Sequence, residues 1–116
     1  MLKKAIACGA IVCLATGYAA LARAADPSAA TGKTLYTANC TICHGADGKG
    51  QGPAAMSLSP KPQDFTSKQF WQTPNIDTAI IDQIKNGKGQ MPAFPNLSQD
   101  EDQSLLLYLK QAFQPK

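Results

Sequence analysis

Apolar residues recur at helical rather than alternating spacing over three stretches of the chain. The most regular lies near the C-terminus, where Leu105, Tyr108, Leu109, Ala112 and Phe113 fall on one stripe at steps of three and four. Ser98-Gln99-Asp100-Glu101 ahead of it has the form of a capping box, and acids fill the first turn, where they meet the partial positive charge of a helix N-terminus. This pattern predicts a helix over 99–113. A second stripe, Ile76, Ile80 and Ile84, has Thr73 before it as an N-cap, Pro74 at the first helical position and Gly87 as its stop, predicting a helix over 74–86. A third helix is predicted over 31–39, with Leu35 and Tyr36 as its larger apolar residues. Between these, Gly45, Gly48, Gly50, Gly52, Pro53, Pro60 and Pro62 exclude long regular elements, and Gly87, Gly89, Pro92 and Pro95 do the same further on. Asp64 to Trp71, with Phe65, Phe70 and Trp71, reads as a short helix or an irregular apolar flap. With no alternating strand run and no internal repeat, the expected fold is all-α with long loops, and loops this long in a small domain need something to pack on.

The first residues follow a different logic. Lys3 and Lys4 precede an uncharged stretch from Ala5 to Ala22, and Ala22-Arg23-Ala24 has the small-x-small form of a leader-peptidase site. Residues 1–24 are therefore expected to be a cleaved secretion signal and residues 25–116 one folded domain. The competing reading, a retained anchor, fits poorly with a stretch rich in Ala and Gly and borderline against the roughly 17–25 apolar residues that span a bilayer. Cleavage changes the charge balance. Lys3, Lys4 and Arg23 leave with the leader, which takes the 11 basic residues to 8 against 8 acids, so the mature domain has no net formal charge. A nucleic-acid binder is not expected from such a balance. Cys8 and Cys13 leave as well, and two remaining cysteines rule out a disulfide framework.

Those two lie in Cys40-Thr41-Ile42-Cys43-His44. Two thiols separated by two residues at a helix end can each add to a vinyl group on one porphyrin edge, while the adjacent imidazole reaches under the ring to the iron. One segment then supplies two thioether bonds and an axial ligand, from the only mature cysteines and the only histidine of the chain. A thioredoxin-like pair would need a βαβ pattern that is absent here, and a structural zinc site would need a fourth ligand that no other Cys or His supplies. A plain Cys40–Cys43 disulfide would close a tiny loop and leave the Gly/Pro-rich loops unsupported. The second axial position falls to Met91, in Gly87-Lys88-Gly89-Gln90-Met91-Pro92, where Gly and Pro hold a loop able to turn a thioether inward. Met56, close to His44 in sequence and in a Ser/Pro context, is the alternative.

On these residues the chain resembles the small class I c-type cytochromes, and the resemblance runs from about Thr31 to Phe113. Gly32 and Tyr36 precede Cys40 as in the family's first helix, and Leu105 with Tyr108 match the terminal helix that crosses it, with Gly32 letting Tyr108 approach closely. The resemblance implies the class I cytochrome c fold, three main helices and long loops around one covalent haem c. It implies that Cys40 and Cys43 bind the haem, that His44 and Met91 ligate the iron, that the Pro53 carbonyl accepts the imidazole N–H of His44, and that the Trp71 indole donates to a haem propionate. Phe65, Phe70 and Phe94 are expected as pocket wall or core.

With both axial positions filled there is no open site for substrate, so the expected function is one-electron transfer rather than catalysis: a soluble periplasmic carrier, monomeric, serving membrane oxidoreductase complexes or periplasmic redox enzymes, with peripheral rather than integral membrane contact. The alternatives are a dedicated haem subunit of a larger oxidoreductase, or a five-coordinate haem enzyme or gas sensor if Met91 is not a ligand. Lys49 and Lys88 in the loops, against Asp100, Glu101 and Asp102 at a helix start, suggest a neutral but polarised surface.

Overall fold

The computed structural model describes residues 25–116; the expected signal, residues 1–24, lies outside them. Five helices follow in order, α1 Ala29–Asn39, α2 Thr41–His44, α3 Lys68–Trp71, α4 Ile76–Asn86 and α5 Gln99–Phe113, with a 3₁₀ turn at Ala55–Ser57. No extended strand occurs among the described residues, and no helix there is long and apolar enough to cross a membrane.

Helix α1 begins two residues before its predicted start because Ser28 caps it, its hydroxyl accepting from Thr31 N–H at 3.1 Å. It crosses α5 at Gly32. A Cβ at that position would lie 1.9 Å from the Ser104 carbonyl oxygen and 2.8 Å from Tyr108 Cβ. The missing side chain thus admits the α5 backbone first and Tyr108 second. Ser104, fully buried, ties the crossing together: its hydroxyl accepts from Ser28 N–H at 3.0 Å and donates to Asp100 O at 2.7 Å. Gly32→Ala is expected to lower stability by about 2–3 kcal/mol through overpacking, well above the ~1 kcal/mol of helix propensity Ala brings over Gly. The denaturant midpoint of the haem-loaded protein measures it.

Helix α4 starts two residues later than its pattern predicts. Thr73 N–H donates to Phe70 O at 3.2 Å, so Thr73 and Pro74 finish the turn after α3 instead of opening α4. Asn75 then adopts the left-handed conformation (φ 56°, ψ 31°), which Asn tolerates better than most residues, and precedes the first helical residue. The end is as predicted: Gly87, at φ 72°, stops the helix with its N–H on Gln83 O at 2.8 Å.

Helix α5 has the predicted bounds and both halves of its capping box, Ser98 N–H donating to Glu101 Oε2 at 2.8 Å and Glu101 N–H to Ser98 Oγ at 3.2 Å. Its buried face is rotated from the predicted stripe. Leu106 is buried and Ala112 exposed, because the face must meet α1 on one side and α4 on the other. Helices α4 and α5 run antiparallel, with ion pairs at both ends: Lys85–Asp102 beside the connecting loop and Lys110–Asp77 at the open end. Asp102 is only 1% exposed, so the acidic surface patch expected of residues 100–102 reduces to Asp100 and Glu101. The core consists of Tyr36, Phe65, Ile80, Ile84, Leu105, Leu106 and Leu109.

Candidate haem site

Cys40 is both the last cap of α1 and the first of α2. Its N–H donates to Tyr36 O, its carbonyl accepts from His44 N–H, each at 2.9 Å, and the chain turns there without losing helical bonding. Gly45 ends the short helix immediately after His44, and its carbonyl accepts from Tyr36 O–H at 2.6 Å, tying α1 to the far end of the motif. Burial, with smaller contributions from Cys40, Tyr108 and Asp47, keeps this phenol protonated far above the usual tyrosine range, as a donor in that bond must be.

A cleft of about 540 Å³, counted to its open mouth, lies against this segment; Cys40, His44, Met91, Phe65 and Ile84 are among its walls. The structure therefore brings Cys40, His44 and Met91 to one largely apolar space, although Met91 is far from the others in sequence. Met56 points elsewhere, 88% exposed on the 3₁₀ turn. Cys43 is half-buried and does not line the cleft. Cys40 and Cys43 form no disulfide with each other, and among the described residues no three His, Cys, Asp or Glu side chains converge on one point.

Burial lowers the His44 pKa, which leaves the imidazole neutral at physiological pH with a lone pair available. Desolvation, then the neighbouring Cys43, pushes the Cys40 thiol up to about 11, so it rests as the protonated thiol that adds across a vinyl group. The imidazole stacks on Phe65, centroids 4.7 Å apart and planes 19° apart, and its buried Nδ1 has no hydrogen-bond partner among the described residues. Gly52 and Ala54 N–H donate back to Cys43 O and Ile42 O at 3.0 and 2.9 Å, holding Pro53 against α2. The Trp71 indole N–H donates to Phe65 O at 2.6 Å. Phe65 and Phe70 line the cleft, whereas Phe94 packs on the core outside it.

Two polar walls of the cleft, Gln63 and Gln83, escaped the sequence reading. Gln83 has a recoverable signal, since it precedes Ile84 on the α4 face. Gln63 has none, being placed by the bond from Phe65 N–H to Gly48 O at 2.8 Å.

A half-buried neutral imidazole with an unmatched nitrogen, a thiol and a thioether around one apolar cleft fit an iron porphyrin in donor set. Comparison with known proteins agrees. Residues 27–109 match the family described as cytochrome c oxidase, cbb3-type, subunit III. Cytochrome c6 of Leptolyngbya boryana is 40% identical over 82 residues, 70% of this chain and 88% of that protein. Among solved structures, the KustC0563 c-type cytochrome superposes with a TM-score of 0.60 at 28% identity, covering 72% of this chain and 98% of the other. Cytochrome c6 from the diatom Phaeodactylum tricornutum gives 0.54 at 25% identity, over 71% and 90%. The chain belongs to the class I c-type cytochromes, all-helical electron-transfer proteins, and carries one covalently bound haem c.

Proposed function

We propose that the protein is an exported, periplasmic one-electron carrier whose haem is bonded through Cys40 and Cys43 and ligated by His44 and Met91. The observation that carries this reading is the convergence of His44 and Met91, from well-separated segments of the chain, on one cleft. Bound there, the haem supplies reversible Fe(II)/Fe(III) exchange. The residues supply the rest. His44 and Met91 would hold the iron and leave it no site for substrate, while Phe65, Phe70, Ile80, Ile84, Leu105 and Leu109 would keep water from the ring and favour the less charged ferrous state. The thioether, a better partner for Fe(II) than for Fe(III), acts in the same direction.

Electrons enter and leave beside the attachment segment, where Ile42 (59% exposed) and Met56 (88%) present an apolar rim. Ala54 N–H, bonded to Ile42 O, holds the two segments together there. Exposed Lys49 and Lys88 add positive charge in the flanking loops. Two or three lysines screened over a Debye length of about 8 Å give a modest preference for an acidic partner. The leader features of residues 1–24 support export.

The family description favours a second reading, a dedicated subunit of a larger oxidoreductase. Two results separate these and the five-coordinate alternative. The ferrous protein of a carrier binds CO poorly, with no Soret shift at saturating gas, and is isolated on its own. Prompt CO binding identifies an open iron, and stoichiometric co-purification identifies a subunit.

A further inference from the structure

Asp102 is the one acid in the core, and carrying an electron gives it no role. It sits in the first turn of α5, 1% exposed, with Lys85 Nζ 2.6 Å from its Oδ2. The approach is a charge–charge contact off the hydrogen-bond axis, and Oδ1 has no partner among the described residues. A sealed carboxylate is costly unless paired, so this contact is strongly held once formed. Both helix dipoles reinforce it, with an anion near an N-terminus and a cation in the last turn of α4.

Its place in the chain matters more than its strength. Lys85 and Asp102 stand on the two sides of segment 87–98, which carries Met91. Above them the loop is held by neutral hydrogen bonds. Phe94 N–H donates to Ile84 O at 2.8 Å, Met91 and Lys88 exchange backbone bonds at 2.9 and 3.1 Å, and at the tip Ser59 N–H donates to Gln90 Oε1 at 2.8 Å. The Gln90 contact is exposed and exchanges readily with water. The ion pair, with its carboxylate buried and its lysine 40% exposed, is thus the charged closure at the base of the loop, on the same two helices that give Gln83, Ile84 and Leu105 to the cleft wall.

We propose that the Lys85–Asp102 pair is a clasp that holds the Met91 loop shut, and so a positioning element that sets how often the iron is exposed to small ligands. This rests on the reading that Met91 is an axial ligand. The second ion pair, Lys110–Asp77, joins the same two helices at their other end, away from the loop, and its acid is exposed where Asp102 is buried. It provides the internal control.

The test is the rate at which the ferric haem-loaded protein captures imidazole, followed by stopped flow to saturating imidazole, where loop opening sets the ceiling. Asp102→Asn keeps the shape of the side chain and removes the charge, and its ceiling is expected to rise about tenfold, a typical consequence of losing one coupled contact. Lys85→Arg and Asp77→Asn are expected to stay within about twofold of wild type. Lys85→Met/Asp102→Leu leaves no buried charge, so it folds even if Asp102→Asn does not; its denaturant midpoint is expected to match wild type while its ceiling stays high. Wild-type ceilings in Asp102→Asn or in the double variant, or an equal rise in Asp77→Asn, overturn the clasp. A wild type that lacks the far-red sulfur-ligation band and captures imidazole with no ceiling overturns the Met91 reading, and the clasp with it.

Discussion

The double variant Cys40→Ala/Cys43→Ala is expected to lose cooperative thermal unfolding altogether. The core comprises seven side chains in one cluster, and six of them, Tyr36, Phe65, Ile80, Ile84, Leu105 and Leu109, also line the cleft. Without the haem these apolar walls lose the body they pack on, and a domain has only ~5–15 kcal/mol of stability in total to lose. The loops from Gly45 to Pro62 and Gly87 to Ser98 lose the surface they pack on, and without thioether bonds any porphyrin is free to leave. Circular dichroism against temperature then gives a shallow, featureless slope. A sharp transition in this variant would show that the polypeptide folds unaided.

Met91→Ala is expected to have the second-largest effect. The ferric protein loses its weak far-red band, the ferrous protein becomes open to CO, and the reduction potential falls by on the order of 0.1–0.3 V, a fraction of the ~0.8 V that axial ligands command. The direction follows from the thioether's preference for Fe(II), which the variant no longer supplies. The fold is expected to survive, because the loop keeps its bonds at Phe94, Lys88 and Gln90. Met56→Ala leaves band and potential unchanged, as befits a side chain 88% exposed on the outer surface. Loss of the band in Met56→Ala instead would reverse the assignment.

The parts of the fold legible in the sequence are those set by local chemistry. The capping box at Ser98 and Glu101 fixes where α5 begins, and Gly87 fixes where α4 ends, because each feature satisfies backbone groups a few residues away. The start of α4 was legible only to within two residues. Thr73-Pro74 is a valid N-terminal signal, but the preceding turn captures the Thr73 N–H, and Asn75 makes the break instead.

The candidate site divides in a similar way. The Cys40 to His44 segment announces itself through spacing, and Met91 through its loop; what brings them to one cleft is the α1–α5 crossing that Gly32 permits. The expected partners of Pro53 and Trp71 were tertiary contacts carried over from a family pattern. Each depends on which carbonyl lies within reach once the 54–71 segment has folded, where the Phe65 carbonyl takes the indole and the Phe65 ring takes the imidazole face. Asp102 is the sharpest case. In sequence it is one of three first-turn acids of an ordinary helix, and only the approach of α4 puts it in the core beside Lys85.

The central claim is that one haem, bonded to Cys40 and Cys43, is the body around which this domain folds. Acid-acetone extraction of the purified protein followed by mass spectrometry tests it most directly. The account predicts a colourless acetone phase, a protein mass equal to residues 25–116 plus one haem, and, after proteolysis, that added mass on the peptide containing Cys40 to His44. Haem in the acetone phase, or a polypeptide mass without it, contradicts the account.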